Sequence, residues 1–121
     1  MLNLTQHVAT TEQIQAGVVE PTPEVKKVIQ ELLTFNSLEE TQEITERAFK
    51  LARIAKEHGV ERVMIGGAPF LMGALESMLA MGDIIAHYAF SQRVVEEVAK
   101  EDGTVEKKAI FKHMGFVPSI E

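Results

Sequence analysis

Val63-Met64-Ile65-Gly66-Gly67-Ala68-Pro69-Phe70 decides how the chain is read. An apolar run stops at two glycines, a proline follows, and an amphipathic segment begins. That order is strand, tight turn, helix start. Proline suits a first helical turn, where its missing N–H has no partner to lose. Glycine lets the backbone bend sharply and come close to another group. The N–H groups of Gly67, Ala68 and Phe70 then face out of a helix N-terminus, which favours anions and above all phosphate. A plain βα turn that binds nothing has the same order, so the flanking chain must decide between the two.

Upstream, Leu2–Thr5 is apolar enough for a short strand and runs directly into Gln6 and His7. Thr10 and Gln13 have the spacing of a capping box, which predicts a short helix stopped at Gly17. Val18–Pro21 reads as an extended linker. Thr22-Pro23-Glu24 starts a second helix, and Val25, Val28, Ile29, Leu32 and Leu33 repeat at helical spacing to give it a buried face. Ser37 and Glu40 suggest another capping box. It opens a long helix with Leu38, Ile44, Ala48, Leu51, Ala52, Ile54 and Ala55 inward and Gly59 as a left-handed cap. The many charges of this helix mark a solvated outer face. Glu61–Ile65 is the next strand, apolar enough to be covered on both faces.

Downstream of Pro69, Leu71, Met72, Leu75, Met78, Leu79 and Met81 make a helix that is apolar most of the way round, with Glu76 its one charge. Such a helix is buried on more than one side, in a core or at a subunit interface. Ile84–Phe90 is a third strand, Val94–Val98 continues extended, and Asp102-Gly103 turns the chain into a returning strand, Thr104–Phe111. Strands alternating with helices imply parallel pairing through right-handed crossovers. The expected fold is a single α/β domain over residues 1–121. It is Rossmann-like and three-layered, with parallel central strands and a C-terminal antiparallel hairpin.

A chain of 121 residues supports one domain with a hydrophobic core of its own. With no cysteine, disulfides and thiolate chemistry are excluded. Met1–Thr5 lacks the basic region and long apolar run of a signal peptide, and no stretch approaches a membrane span, so a cytoplasmic protein that does not engage membranes is expected. The net charge of −6 argues against long nucleic acid, which needs a basic stripe. A small anion needs only a few local donors.

Ligands of open α/β sheets sit beyond the carboxyl ends of the parallel strands. Three exits are predicted there: Thr5-Gln6-His7, Gly66-Gly67-Ala68-Pro69 and Ser91-Gln92-Arg93. Together they offer hydroxyls, amides, N–H groups, an imidazole and a guanidinium. Arg93 has the chemistry of a phosphate clamp, or pairs instead with Glu96 or Glu97. His7 is the one group at this rim that titrates near neutrality. His113 joins it only if its strand folds back. These two histidines are the candidate proton carriers. Ser91 lacks a nucleophile elbow. The sequence has no P-loop and no dinucleotide fingerprint. The four histidines have no ligand spacing, so neither a metal nor a cofactor is expected.

Several segments, in order along most of the chain, resemble the small stand-alone CRISPR-accessory proteins with a CARF-like (CRISPR-associated Rossmann) fold, ring-nuclease-type members included. They are Thr5-Gln6-His7 with Thr11-Glu12-Gln13, the strand ending at Gly66-Gly67, Tyr88-Ala89-Phe90-Ser91-Gln92-Arg93, and Asp102-Gly103-Thr104-Val105 followed by Phe111-Lys112-His113-Met114-Gly115-Phe116. The resemblance implies a homodimer binding a cyclic oligoadenylate second messenger at its axis. In some members it also implies metal-independent cleavage through a ribose 2′-hydroxyl. No aspartate or lysine at this chain's rim is assignable to cleavage, so binding is the better-supported expectation. Two other classes stay open: a non-enzymatic interaction module dimerising through its Met-rich helix, and an unrelated small-molecule transferase or hydrolase on the same fold.

Overall fold

Strand β2, Arg62–Ile65, buries Val63 and Ile65 on one face and Met64 on the other. The computed structural model describes residues 1–119; Ile120 and Glu121, the end of the domain read from the sequence, lie outside the described residues. Strand β1, Leu2–Asn3, runs parallel to β2, and the N–H of Leu4 prolongs the ladder by donating to Met64 O at 2.9 Å. Strand β3, Ile85–Ala99, runs parallel on the other side of β2. Strand β4, Val105–Pro118, returns antiparallel to β3. The result is a single α/β domain around a mixed, mostly parallel sheet in the order β1-β2-β3-β4, as the alternation of elements implies.

Helices flank this sheet in a broadly α/β/α arrangement, but the two outer layers differ in thickness. Helices α2 (Pro23–Leu33), α3 (Thr41–Glu57) and α4 (Pro69–Met81) bring Ile29, Leu51, Leu71, Leu75 and Leu79 together against Leu2, Leu4, Val63 and Ile65. Each such leucine contributes about 1.5–3 kcal/mol by leaving water, so this face carries most of the stability. The opposite face is thin. Ala9, Val18 and Phe116 cover Met64, and helix α1 (Thr11–Gln15) buries none of its own residues.

The capping box of Thr10 with Gln13 forms as expected, Gly17 ends the short helix at φ +104°, and Gly59 takes the left-handed conformation predicted for it. Three expectations need correction. Val28 is exposed and Lys26 is buried, because the inward stripe of α2 is Lys26-Ile29-Leu33. Ser37 does not cap α3; its hydroxyl donates to Glu39, and the helix begins only at Thr41. Leu38, expected inward, is 101% exposed. Arg47 explains both changes at this end. Its guanidinium donates to Leu32 O and Thr34 O at 3.4 and 2.6 Å, meets Glu39 and Glu43, and lies over the Phe35 ring. That arginine holds residues 34–40 as a link folded against the helix ends, so Leu38 never joins the helix.

Val18–Pro21 is likewise not a free linker. Val19 runs beside β1, donating to Met1 O at 2.8 Å and accepting from Asn3 N at 2.9 Å. At the far edge, β3 and β4 pair from His87↔Pro118 to Ala99↔Val105, with a bulge between Phe90 and Ser91. Since β2 ends level with Tyr88, the last eleven residues of β3, Ala89–Ala99, have only β4 as a neighbour. At ~3.3 Å per residue this ribbon reaches roughly 35 Å past the sheet. Asp102 closes its tip by accepting from the Thr104 N–H and hydroxyl at 2.9 and 2.6 Å. No helix among the described residues is long and apolar enough to cross a membrane.

Candidate functional site

The chain leaves β1 through Thr5-Gln6-His7, and a buried polar network fixes that exit. Asn3 lies between Leu2 and Leu4, which point to the helical core, so its own side chain points to the thin face and is fully buried. Its Oδ1 accepts from Thr5 N at 2.9 Å and from the Thr5 hydroxyl at 2.6 Å. Its Nδ2 donates to His7 O at 2.8 Å and to Glu20 Oε1 at 2.6 Å. That same Glu20 oxygen accepts the N–H of Ala9 at 2.6 Å. Lys26 reaches across from α2 and donates to Thr5 O and His7 O at 2.8 and 2.6 Å, with the Glu20 carboxylate 3.4 Å away.

Every donor and acceptor of Asn3 is therefore used, as a buried amide requires. Burial pushes the Glu20 carboxyl up, but the hydrogen bonds from Ala9 and Asn3 and the Lys26 ammonium outweigh it and hold it below the usual range. Lys26 spends its charge on this network and has none to offer a ligand. The backbone of His7 is clamped while its imidazole stays exposed.

Beside this exit lies the turn after β2. Gly67 sits at φ +152°, a conformation that side chains rarely adopt, and the N–H groups of Gly67 and Ala68 donate to no backbone carbonyl among the described residues. A Cβ on Gly66 would meet Thr5 Cγ2 at 3.8 Å, so the two exits touch. Between them is a hollow of about 280 Å³ bordered by Thr5, Gln6, His7, Gln13, Gly66 and Gly67, with Met64 in its apolar lining. The hollow opens beside the N-terminus of α4, which begins at Pro69. Its lining has hydroxyl, amide and imidazole groups and no permanent charge.

Thus five of the predicted ligand-binding and catalytic residues, Thr5, Gln6, His7, Gly66 and Gly67, are brought together, and Ala68 follows directly. Ser91, Gln92 and Arg93 are not. They stand on the ribbon, paired with His113, Lys112 and Phe111, and Arg93 lies five residues beyond the level where β2 ends. The expected rim position fails because β3 does not stop at Phe90 but continues as one strand to Ala99. Arg93 forms no ion pair with Glu96 or Glu97 among the described residues; those two stand opposite Lys108 and Lys107. His113 does fold back toward α1. Its N–H donates to Glu12 at 3.2 Å and its ring meets Phe116 edge-on at 4.9 Å, leaving Nδ1 buried without a partner. It does not border the hollow.

Asn3, Glu20 and Lys26 are what sequence reading misses. The signal for Asn3 is a lone amide inside the apolar run Leu2-Asn3-Leu4, and for Lys26 its place three and seven residues before Ile29 and Leu33. Glu20 carries no local signal, since its partners come from distant segments.

Four other hollows of about 300–510 Å³ lie elsewhere on the domain, and two of them suit an anion less. One, of about 510 Å³, is ringed by Glu39, Glu40, Glu43 and Glu46. The other, of about 410 Å³, is an apolar groove between α3 and α4.

The family model described as the uncharacterized protein MJ1673 family matches residues 1–117. No curated protein and no solved structure matches the chain.

Proposed function

We propose, for a chain that belongs to the uncharacterized protein MJ1673 family, that the hollow beside His7 binds a nucleotide-sized anion. On this reading the domain is Rossmann-like and CARF-like. Its ligand is a cyclic oligoadenylate second messenger of cytoplasmic antiviral-defence signalling. The observation that carries the reading is the meeting of Thr5, Gln6 and His7 with Gly66 and Gly67 beyond the carboxyl ends of two parallel strands. That is where open α/β sheets hold their ligands.

Size sharpens the reading. A hollow of about 280 Å³ lies at the lower end of the ~300–1,000 Å³ range of small-molecule sites. It suits one nucleotide unit, so a ring of several units needs the hollows of two copies. The turn N–H groups would receive a phosphate oxygen, and the Thr5 and Gln side chains a ribose or base edge. Binding is favoured over cleavage, because no charged group lines the hollow to stabilise a pentavalent phosphorus. Where cleavage does occur, His7 is the proton carrier.

The test is calorimetry with cyclic tri-, tetra- and hexa-adenylate, followed by chromatography of the products. One ring size should bind at one ring per two chains, and His7→Ala should weaken it about tenfold or more, the value of one charge-assisted hydrogen bond. No heat with any ring, or equal affinity in His7→Ala, rejects the site.

A second reading, an interaction module without a small ligand, is favoured by the exposed ribbon more than by the Met-rich helix. In α4, Met72 is buried and Met78 half-buried, and Met81 alone of its methionines is fully on the surface.

A further inference from the structure

Past the Ser91–His113 pair, where Glu12 of α1 makes its contact, the ribbon of β3 and β4 has neither helix nor strand against it, yet its most exposed apolar side chains lie on one face. Alternation puts Arg93, Val95, Glu97 and Ala99 on that face, opposite Phe111, Ala109, Lys107 and Val105. Phe111 is 75%, Val95 63% and Val105 59% exposed. Two strands alone are marginal in water. A ribbon of this length that leaves its apolar stripe in solvent needs a cover.

We propose that the cover is a second copy of this chain, its ribbon packed face to face on the first through the stripe of Val95, Val105, Ala109 and Phe111. Charge selects this occupant. Between Ser91 and His113 there are five acidic and five basic side chains, so the ribbon has no net charge and favours neither nucleic acid nor a strongly charged protein. The same charges are self-complementary. With the two-fold axis along the ribbon, Glu97 meets the partner's Lys107 and Arg93 meets the partner's Phe111. With the axis across it at Val95, Arg93 meets the partner's Glu97 and Lys107 meets the partner's Phe111. Either way an isologous contact places cations on acids or on an aromatic face. The edges carry Lys108 and Lys112, which discourage simple strand addition. The contact is therefore through faces and not edges.

This interface does not depend on the ligand reading and is tested without any nucleotide. Light scattering after gel filtration of the whole chain should give twice the 13.4 kDa chain mass. Phe111→Ala and Val95→Glu should each weaken the dimer about 30-fold or more, as loss of a central contact does. Both side chains are largely exposed within one chain, so the ribbon itself survives. Glu97→Lys should dissociate the dimer, and one of two second changes should restore it: Lys107→Glu with the axis along the ribbon, Arg93→Glu with the axis across it; rescue by neither overturns the proposal. Hydrogen exchange should show concentration-dependent protection on the ribbon. A monomer at the highest soluble concentration overturns the proposal. So does a dimer indifferent to all these changes, or one whose protection falls in the α3–α4 groove with the ribbon unaffected.

Discussion

The Asn3 amide donates to the Glu20 carboxylate at 2.6 Å across seventeen residues of chain, and the same amide donates to His7 O at 2.8 Å. One buried side chain thus joins strand β1, the edge segment Val18–Pro21 and the loop that borders the hollow. The candidate site rests on this junction.

Asn3→Ala removes four hydrogen bonds and strands the Thr5 N–H and part of the Glu20 carboxylate. A buried group left unpaired costs ~1–3 kcal/mol, so a loss of about 2–3 kcal/mol is expected in urea denaturation. Amide exchange at Thr5 and Ala9 should rise with it. A change below 0.5 kcal/mol or so would show that the loop is held by other contacts.

Glu20 predicts an acid-sensitive network. Its carboxyl is held below its ordinary value in the fold. The stability it supplies is therefore present above the unfolded value, near 4.5, and is lost as pH falls through the lower folded value. Melting curves from pH 7 to pH 3 should show the parent chain losing more stability below pH 4.5 than Glu20→Gln does. Parallel pH profiles would contradict the assignment.

Gly67→Ala tests the turn. The φ of +152° strains any side chain, while the added methyl would meet Met72 and Leu33 at 3.5 and 3.6 Å, ordinary contact distances. The cost is backbone strain and not a clash, on the order of 1–3 kcal/mol. Gly66→Ala, which has neither problem, should melt close to the parent. Equal melting of the two variants would refute this account of the turn.

Tyr88→Phe tests the one charge of α4. The Tyr88 hydroxyl donates to Glu76 at 2.6 Å. Burial and then the Glu76 acceptor push the hydroxyl well above its usual range, so it stays protonated and its contribution is constant from pH 6 to pH 9. The substitution leaves a half-buried carboxylate unpaired and should cost about 1–3 kcal/mol, equally at both ends of that range. A cost that shrinks toward pH 9 would mean the hydroxyl ionises early.

Much of the fold is legible in local sequence because local rules produce it. Thr10 with Gln13 caps α1, Thr22 before Pro23 caps α2, and Asp102-Gly103 turns the hairpin, each within four residues of its partners. The run Val63-Met64-Ile65 reads as a strand covered on both faces, and it is one. Leu38 misleads because its placement depends on Arg47, a residue nine positions on that gathers carbonyls from another helix. Arg93 misleads because nothing local tells a strand that its neighbour β2 has already ended.

The sequence by itself determined the strands, helices and turns, and so a parallel α/β core with a hairpin after it, since periodicity, caps and glycine conformation act over a few residues. Only the tertiary structure decided that Thr5–His7 meets Gly66-Gly67, that Asn3, Glu20 and Lys26 hold them there, and that Arg93 stands out on a ribbon. Those outcomes come from strand register and from hydrogen bonds between distant segments, and no local pattern encodes either.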